Sequence, residues 1–272
     1  MQAWTLEHVS FWLEAKSGND IAFSHALEWA FRLELPLRIT AITNPPVTEK
    51  IRNWNEAAAL RGVGIEMHLT MARTQGAVDQ FLRANGLCVF SEASDAYLTP
   101  HLMRRSAQIQ SICQLLCPRV FSPIDRVLVV CRDADWRAQY LESAARICQS
   151  LNTTPIVLIL AGSECDAKLK QEFAEGIFHS RQMLADIDFV IDRDPVLAVN
   201  RIVSWRRCTH VIMSRSSRES DSFQRDLSAT VSVLTLPDVL SLELPRRIAS
   251  SRKTVSRIHV DETQSSAARE IT

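Results

Sequence analysis

The same order of short apolar segments and helical segments occurs twice in this chain of 272 residues. Each half carries five segments rich in β-branched and apolar residues, separated by segments with helical periodicity or helix-boundary residues. In the first half the pattern predicts strands at residues 9–14, 37–43, 62–70, 87–91 and 118–122. In the second half it predicts strands at residues 126–131, 155–160, 187–191, 209–214 and 231–236. Strands that alternate with helices predict parallel sheets with right-handed crossovers.

The two halves also share residues at matching places. Leu27-Glu28-x-Ala30-x-Arg32 recurs 114 residues later, from 27 to 141, as Leu141-Glu142-x-Ala144-x-Arg146. CVFS at 88–91 and VIMS at 211–214 occupy the fourth predicted strand of each half. We therefore predict two tandem Rossmann-like α/β domains, at residues 1–123 and 124–245, each an open, mostly parallel five-stranded sheet flanked by helices. Residues 246–272 are polar and lack an apolar period, so we predict a disordered tail there.

Composition excludes several classes of function. Lys+Arg and Asp+Glu number 31 each, so no net field favours nucleic acid or a membrane surface. No apolar run approaches the roughly 20 residues of a membrane helix, and the N-terminus has no basic signal region. The seven cysteines show no C-x-x-C pair or accompanying histidine cluster, which indicates reduced thiols in a cytoplasmic protein and no metal site.

The loop after the fourth strand, SEASDAYLTPHLMRRSAQIQ at 91–110, contains no glycine. Strand-to-helix loops at this place in α/β proteins often use glycines so that phosphates can approach the backbone. Serine hydroxyls and arginine guanidinium groups are present instead, and both can bind an anion. The candidate binding residues are Ser91, Ser94, Arg105 and Ser106. Arg104, next to Arg105, could also bind a phosphate.

Three stretches resemble the universal stress protein family. HALEWAFRL at 25–33 is similar to the first helix of that family, and NGLCVFS at 85–91 to its fourth strand. SAQIQSICQLLCPRVF at 106–121 is similar to its closing helix and strand. The resemblance implies an open, parallel five-stranded α/β fold. It also implies a site for ATP or AMP, which many members bind through G-x-x-G followed later by G-[S/T], together with an acidic residue at the end of the first strand.

The sequence departs from that motif in both halves. Ser91 and Ser94 stand at the first two glycines, and Arg105-Ser106 at the Gly-Ser. In the second half Ser214 and Ser217 replace the glycines, and Glu219-Ser220 is the nearest counterpart of the Gly-Ser. Glu14 and Asp133 lie near the place of the acidic residue without matching it. Positive φ is disfavoured at serine, so we expect the nucleotide-binding motif to be degraded in both repeats and no cofactor to be bound.

These observations predict a non-enzymatic, cytoplasmic protein of the stress response or of regulation, which acts through an unidentified protein partner. We expect its halves to form an internal pseudo-dimer through VFSP and VLTLP, and a homodimer is compatible with the sequence. The alternative is a sensor that binds ATP, AMP or another anion in the first repeat. An ATP-using enzyme is a third alternative, but SGND at 17–20 retains little of the required loop and no histidine lies near a nucleophile. We expect His25 and His68 to be structural, and Arg215, Arg218 and Arg225 to form a solvated, salt-linked surface.

Overall fold

The structure is a computed structural model that describes residues 3–13, 20–42, 45–70, 75–83, 85–91, 99–109, 111–132, 137–191, 194–215, 226–237, 241–244 and 257–260. The elements of the first half are β1 (Ala3–Thr5), β2 (His8–Leu13), α1 (Asp20–Leu33), β3 (Leu37–Ile42), α2 (Pro45–Leu60), β4 (Ile65–Thr70), α3 (Gln75–Phe81), β5 (Gly86–Ser91), α4 (Thr99–Gln108) and β6 (Cys113–Cys117). Those that follow are β7 (Val127–Cys131), α5 (Ala138–Leu151), β8 (Ile156–Leu160), α6 (Glu164–Ser180), β9 (Asp186–Val190), α7 (Pro195–Arg206), β10 (His210–Ser214), β11 (Ser232–Leu236), β12 (Ser241–Glu243) and β13 (Arg257–Val260).

Eleven strands form one sheet in the order β13-β4-β3-β2-β5-β6-β11-β10-β7-β8-β9. Within each half the order is third, second, first, fourth, fifth, and all neighbours inside a half are parallel. This arrangement confirms the prediction of two open, five-stranded α/β units in tandem. The predicted boundary at 123/124 falls in the connection between β6 and β7.

The two halves join through their last strands. β6 and β11 pair antiparallel, with Leu115 opposite Leu234 and Leu116 opposite Val233, so each strand hides the edge of the other. The predicted internal pairing of the final strands is therefore present, but the first-half partner is Cys113–Cys117 and not residues 118–122. The predicted strand lies too late in the sequence, because α4 already ends at Gln108 and the last strand begins at Cys113.

A buried glutamine explains why β6 does not look like a strand in the sequence. Gln114 lies in the middle of β6 and is 5% exposed. Its amide donates to the Ser106 Oγ at 2.6 Å and to the Met103 carbonyl at 2.8 Å. Because both contacts satisfy the amide inside the fold, a polar residue is tolerated in an otherwise apolar strand.

Local signals fix the ends of several helices. Asp194 accepts a hydrogen bond from the Leu197 N–H at 3.0 Å, and Pro195 supplies the first turn of α7. The Ser163 Oγ accepts from the Asp166 N–H at the start of α6. Asn152 takes a left-handed conformation (φ 55°) after α5, which ends that helix.

The core lies on both faces of the sheet and runs through both halves. Alternate strand residues point to opposite faces, so that Phe11 belongs to one buried cluster and Trp12 to the other. In the second half Val129 and Val130 divide in the same way. Burial on both faces is the reason that these strands read as continuous apolar runs in the sequence.

Two features lie outside the repeated pattern. β1 and β12 form a separate parallel pair, Ala3 to Ser241 and Thr5 to Glu243. β13 adds in parallel to the outer edge of β4, with Arg257 in register with Glu66. The predicted disordered tail therefore contains a strand at residues 257–260, while 246–256 and 261–272 lie outside the described residues. Short alternation in this segment is too weak a signal to predict a strand without the edge that it covers.

Candidate functional site

In open α/β sheets, ligands bind beyond the carboxyl ends of the strands where the strand order reverses. In the first half this point lies between β2 and β5, and in the second between β7 and β10. At both points the pairing between the two strands stops before the strands themselves end. The last paired residues are Phe11 with Val89 in the first half and Val129 with Ile212 in the second. Each strand continues for two residues beyond its last pair, so each half has a separation between its two central strands.

A tyrosine occupies this separation in the second half. Tyr140, in the first turn of α5, is 3% exposed. Its hydroxyl oxygen lies 2.8 Å from the Val130 carbonyl and 3.0 Å from the Ile212 carbonyl, so one proton is shared between both strands. Arg132 donates to the Ser214 carbonyl at 3.4 Å farther along the same two strands. The chain thus uses its own donors at the place where a ligand would enter.

The first half has a small residue at the matching position. The 114-residue offset of the shared helix motif, 26 + 114 = 140, pairs Ala26 with Tyr140. Ala26 is fully buried in α1. Beside it an aromatic cluster fills one face of the sheet, where Phe23 stacks on Trp54 at 4.3 Å and Phe11 meets Trp54 at 5.6 Å. The two halves therefore differ at this position, where the second half has the bridging Tyr140 and the first has Ala26.

Of the four sequence-predicted binding residues, the structure describes three, and they lie in two different elements. Ser91 is the last residue of β5 and is buried, and Ser94 lies outside the described residues. Arg105 lies in the last turn of α4, with its guanidinium 3.5 Å from the Asp79 carboxylate. Ser106 is fully buried and donates to the Met103 carbonyl at 2.9 Å.

The family resemblance implied that Ser106 begins the closing helix, which is wrong, because α4 begins at Thr99. Seven residues at 1.5 Å rise separate Thr99 from Ser106, which is about 10 Å along the helix. Ser106 also contacts Gln114, which lies opposite Cys88 in β5, three residues before Ser91. That separation is again about 10 Å along a strand. A role of the four residues in binding stays a prediction, and for Arg105 and Ser106 it no longer has the geometry of a helix N-terminus.

Arg215 joins the two halves, which corrects its expected place on a solvated surface. It follows β10, is half-buried, and donates to the carbonyls of Ala107 at 3.3 Å, Ile109 at 3.0 Å and Ile112 at 2.5 Å. These carbonyls lie at and beyond the C-terminal end of α4, where the helix dipole favours a cation. Arg218 and Arg225 lie outside the described residues, as do Glu14, Asp133, Ser217, Glu219 and Ser220.

Two histidines pack between the halves. The rings of His25 in α1 and His210 in β10 lie 6.5 Å apart, and Trp29 lies 5.7 Å from His210. Burial lowers the pKa of His25 to about 4, against smaller opposing effects of the Val120 backbone and the Glu28 carboxylate. Burial, with a smaller effect of His25, lowers the pKa of His210 to about 3. Both rings are therefore neutral near pH 7, and the position of His25 agrees with a structural role.

Burial raises the pKa of several thiols, which disfavours the thiolate form that acts as a nucleophile. All seven cysteines are free, and six are buried, with Cys165 exposed. Burial raises the pKa of the Cys113 and Cys148 thiols to about 12 and that of Cys208 to about 11. Within the described ranges, no three His, Cys, Asp or Glu side chains group as metal ligands would. Also within these ranges, no helix combines the length and hydropathy needed to cross a bilayer.

Comparison with known proteins identifies the fold. No protein-family model and no curated protein matches the sequence. A universal stress protein from Archaeoglobus fulgidus DSM 4304 superposes with a TM-score of 0.57 at 13% identity, over 88% of this chain and all of that one. The cytoplasmic domain of a prokaryotic cation chloride cotransporter gives 0.57 at 8% identity, over 85% of this chain and 96% of that one. A functionally unknown protein from Pseudomonas aeruginosa PAO1 gives 0.56 at 11%, over 86% and 93%.

These similarities define the class of structure: a Rossmann-like α/β fold. More particularly, it is the universal-stress-protein-like fold, which extends over both halves of the chain. Sequence reasoning found the fold and its repeat but missed Tyr140 and Arg215. Tyr140 had one available signal, its place directly before the shared Leu141 motif.

Proposed function

We propose that this chain is a non-enzymatic, cytoplasmic protein of universal-stress-protein-like fold that regulates a partner by binding it, in the stress response or a related process. In this proposal the nucleotide site is degraded in both halves. The observation that carries it is the Tyr140 hydroxyl, which bonds the Val130 and Ile212 carbonyls at the second-half switch point. A nucleotide there would have to displace a buried side chain and leave two strand carbonyls without that donor.

Further features support the absence of catalysis and of tight nucleotide binding. Ser91 and Ser214, at two of the glycine positions, are both buried at strand ends. A side chain at these places takes the space through which phosphate would approach the backbone. His25 and His210, both buried and with pKa values lowered to about 4 and about 3, are poor general bases near pH 7.

One observation favours a second candidate, a sensor of adenine nucleotide or another anion in the first half. Ala26 stands where the second half has Tyr140, so the side chain that closes one crevice has no equivalent in the other. Arg105 would supply positive charge in this candidate, although it lies beside Asp79. The two candidates differ in one measurable property, the affinity for nucleotide.

Calorimetric titration of the full chain with ATP and with AMP, each with and without Mg²⁺, tests the proposal. We expect heats equal to dilution up to about 1 mM ligand, a concentration that detects a binding free energy of about −4 kcal/mol or stronger. A saturable isotherm with micromolar affinity would contradict the proposal and favour the sensor. Loss of that isotherm in Arg105→Ala, with retention in the control Arg119→Ala at an exposed site, would assign it to the first half.

A further inference from the structure

The two outer edges of the eleven-stranded sheet are covered differently. β4 and β9 are each the third strand of a half, and each lies at the outside of its half. β13 pairs with the outer side of β4. Among the described residues no strand pairs with the outer side of β9, which is the last strand of the sheet.

The edges correspond residue by residue. The fourth strands of the two halves, β5 (CVFS) and β10 (VIMS), give the starting match. From each of them the residues in register can be traced strand by strand to the outer edge of the sheet. By this tracing, Glu66 of β4 and Asp186 of β9 occupy equivalent positions. Glu66 is the residue in register with Arg257 of β13. A strand added to β9 in the same register would have its counterpart of Arg257 opposite Asp186.

The backbone of β9 has donors and acceptors that point away from the sheet. The Asp186 N–H donates to the Pro155 carbonyl at 3.0 Å, and the Val190 carbonyl accepts from the Ala161 N–H at 3.1 Å. Because peptide groups alternate in direction along a strand, Ile187 and Phe189 direct their N–H and C=O groups outward. An added strand can therefore pair with β9 without disturbing its ladder with β8.

Exposed apolar side chains accompany this edge. Phe189 is 38% exposed, Ile191 51% and Leu184 83%. Natural proteins rarely leave an apolar strand edge open, because such an edge recruits other strands. The exposure favours a partner that contributes apolar residues as well as hydrogen bonds.

The charge at this edge favours a basic partner. Arg206 pairs with the Asp186 carboxylate at 3.0 Å and the Asp188 carboxylate at 2.7 Å. One guanidinium thus serves two carboxylates, and it also lies over the Trp205 ring at 4.4 Å. The side chains of Asp186 and Asp188 are 51% and 33% exposed, so both can meet a second cation.

We propose that β9 binds an extended segment of a partner protein as an added parallel strand, and that this segment alternates apolar and basic residues. The mode is strand addition, in which main-chain hydrogen bonds give affinity and alternate side chains give selectivity. The proposal rests on the partner-binding function inferred above and names its surface. The two claims can be refuted independently, because nucleotide titration tests the proposed function and does not measure binding to β9.

A labelled peptide with the sequence of residues 253–260, KTVSRIHV, is the probe, because β13 contains this chemistry. Fluorescence anisotropy on the full chain should show saturable binding that weakens as salt rises. A peptide with Arg257 replaced by Glu should bind at least about tenfold more weakly, since the charge next to Asp186 is reversed.

Two variants of one residue locate the site. Phe189→Pro removes an outward N–H but no bond to β8, and Phe189→Ala keeps that N–H while removing the same ring. We expect Phe189→Pro to bind the peptide about tenfold more weakly than Phe189→Ala, with equal melting temperatures as the folding control. Equal affinity of the two variants, or no saturable binding to the wild type, would overturn the proposal. A dimer in sedimentation that Phe189→Pro dissociates would also overturn it, by assigning the edge to a second copy.

Discussion

Replacement of Tyr140 by phenylalanine isolates the hydroxyl that closes the second-half crevice. The ring is retained, so the buried volume at α5 is nearly unchanged and no cavity forms. The Val130 and Ile212 carbonyls lose their shared donor, at 2.8 and 3.0 Å, within a region that excludes water. Loss of one partner of a buried hydrogen bond costs about 1–3 kcal/mol, so we expect the free energy of unfolding to fall by about 1–2 kcal/mol.

Equilibrium denaturation in urea, followed by tryptophan fluorescence, measures this change. The midpoint should decrease while the slope against urea stays constant, because the surface exposed on unfolding is the same. Ser24→Ala is the matched control, since the Ser24 hydroxyl only bonds the Asp20 carbonyl within α1, and its effect should stay within about 0.5 kcal/mol. A Tyr140→Phe effect as small as that of the control would refute the idea that the hydroxyl bridges the separated strands.

Two further predictions concern the contacts between the halves. Arg215→Met keeps the aliphatic stem but removes the donors to the Ala107, Ile109 and Ile112 carbonyls. It should lower the free energy of unfolding by about 1.5–3 kcal/mol in the same urea assay. An unchanged urea midpoint would contradict the role of Arg215 in joining the halves. Burial lowers the pKa of His25 and His210 from 6.5 to about 4 and about 3, so the unfolded chain binds more protons at mildly acidic pH. Stability should be fully present above pH 6.5 and fall as pH decreases below it, by up to about 1.4 kcal/mol per pH unit for each ring. Urea midpoints between pH 7 and 5 check this, and the same slope in His210→Gln as in the wild type would contradict it.

The sequence predicted those parts of the fold that depend on local pattern. Apolar segments such as VLVVC of β7 and IVLIL of β8 are buried on both faces, so periodicity and burial agree. Helix starts also carry local signals, such as Asp194 and Pro195 at the start of α7. The repeated order of these elements was therefore sufficient to predict the sheet and its division into two units.

The parts that the sequence did not predict depend on distant contacts. Gln114 is compatible with a strand only because Met103 and Ser106 accept its amide. Arg215 is half-buried only because the end of α4, more than 100 residues earlier in the chain (109 to 215), presents carbonyls to it. The expected place of Ser106 at a helix start is wrong in the same way, since matching it to a motif position fixed no helix boundary, and Ser106 lies about 10 Å along α4 from the start of that helix at Thr99.

Direct calorimetric titration of the full chain with Mg·ATP tests most directly the claim that this universal-stress-protein-like fold has lost its nucleotide site. The account predicts no heat beyond dilution up to about 1 mM, and no rise in melting temperature at that concentration. A saturable isotherm with micromolar affinity, accompanied by a rise in melting temperature, would contradict it.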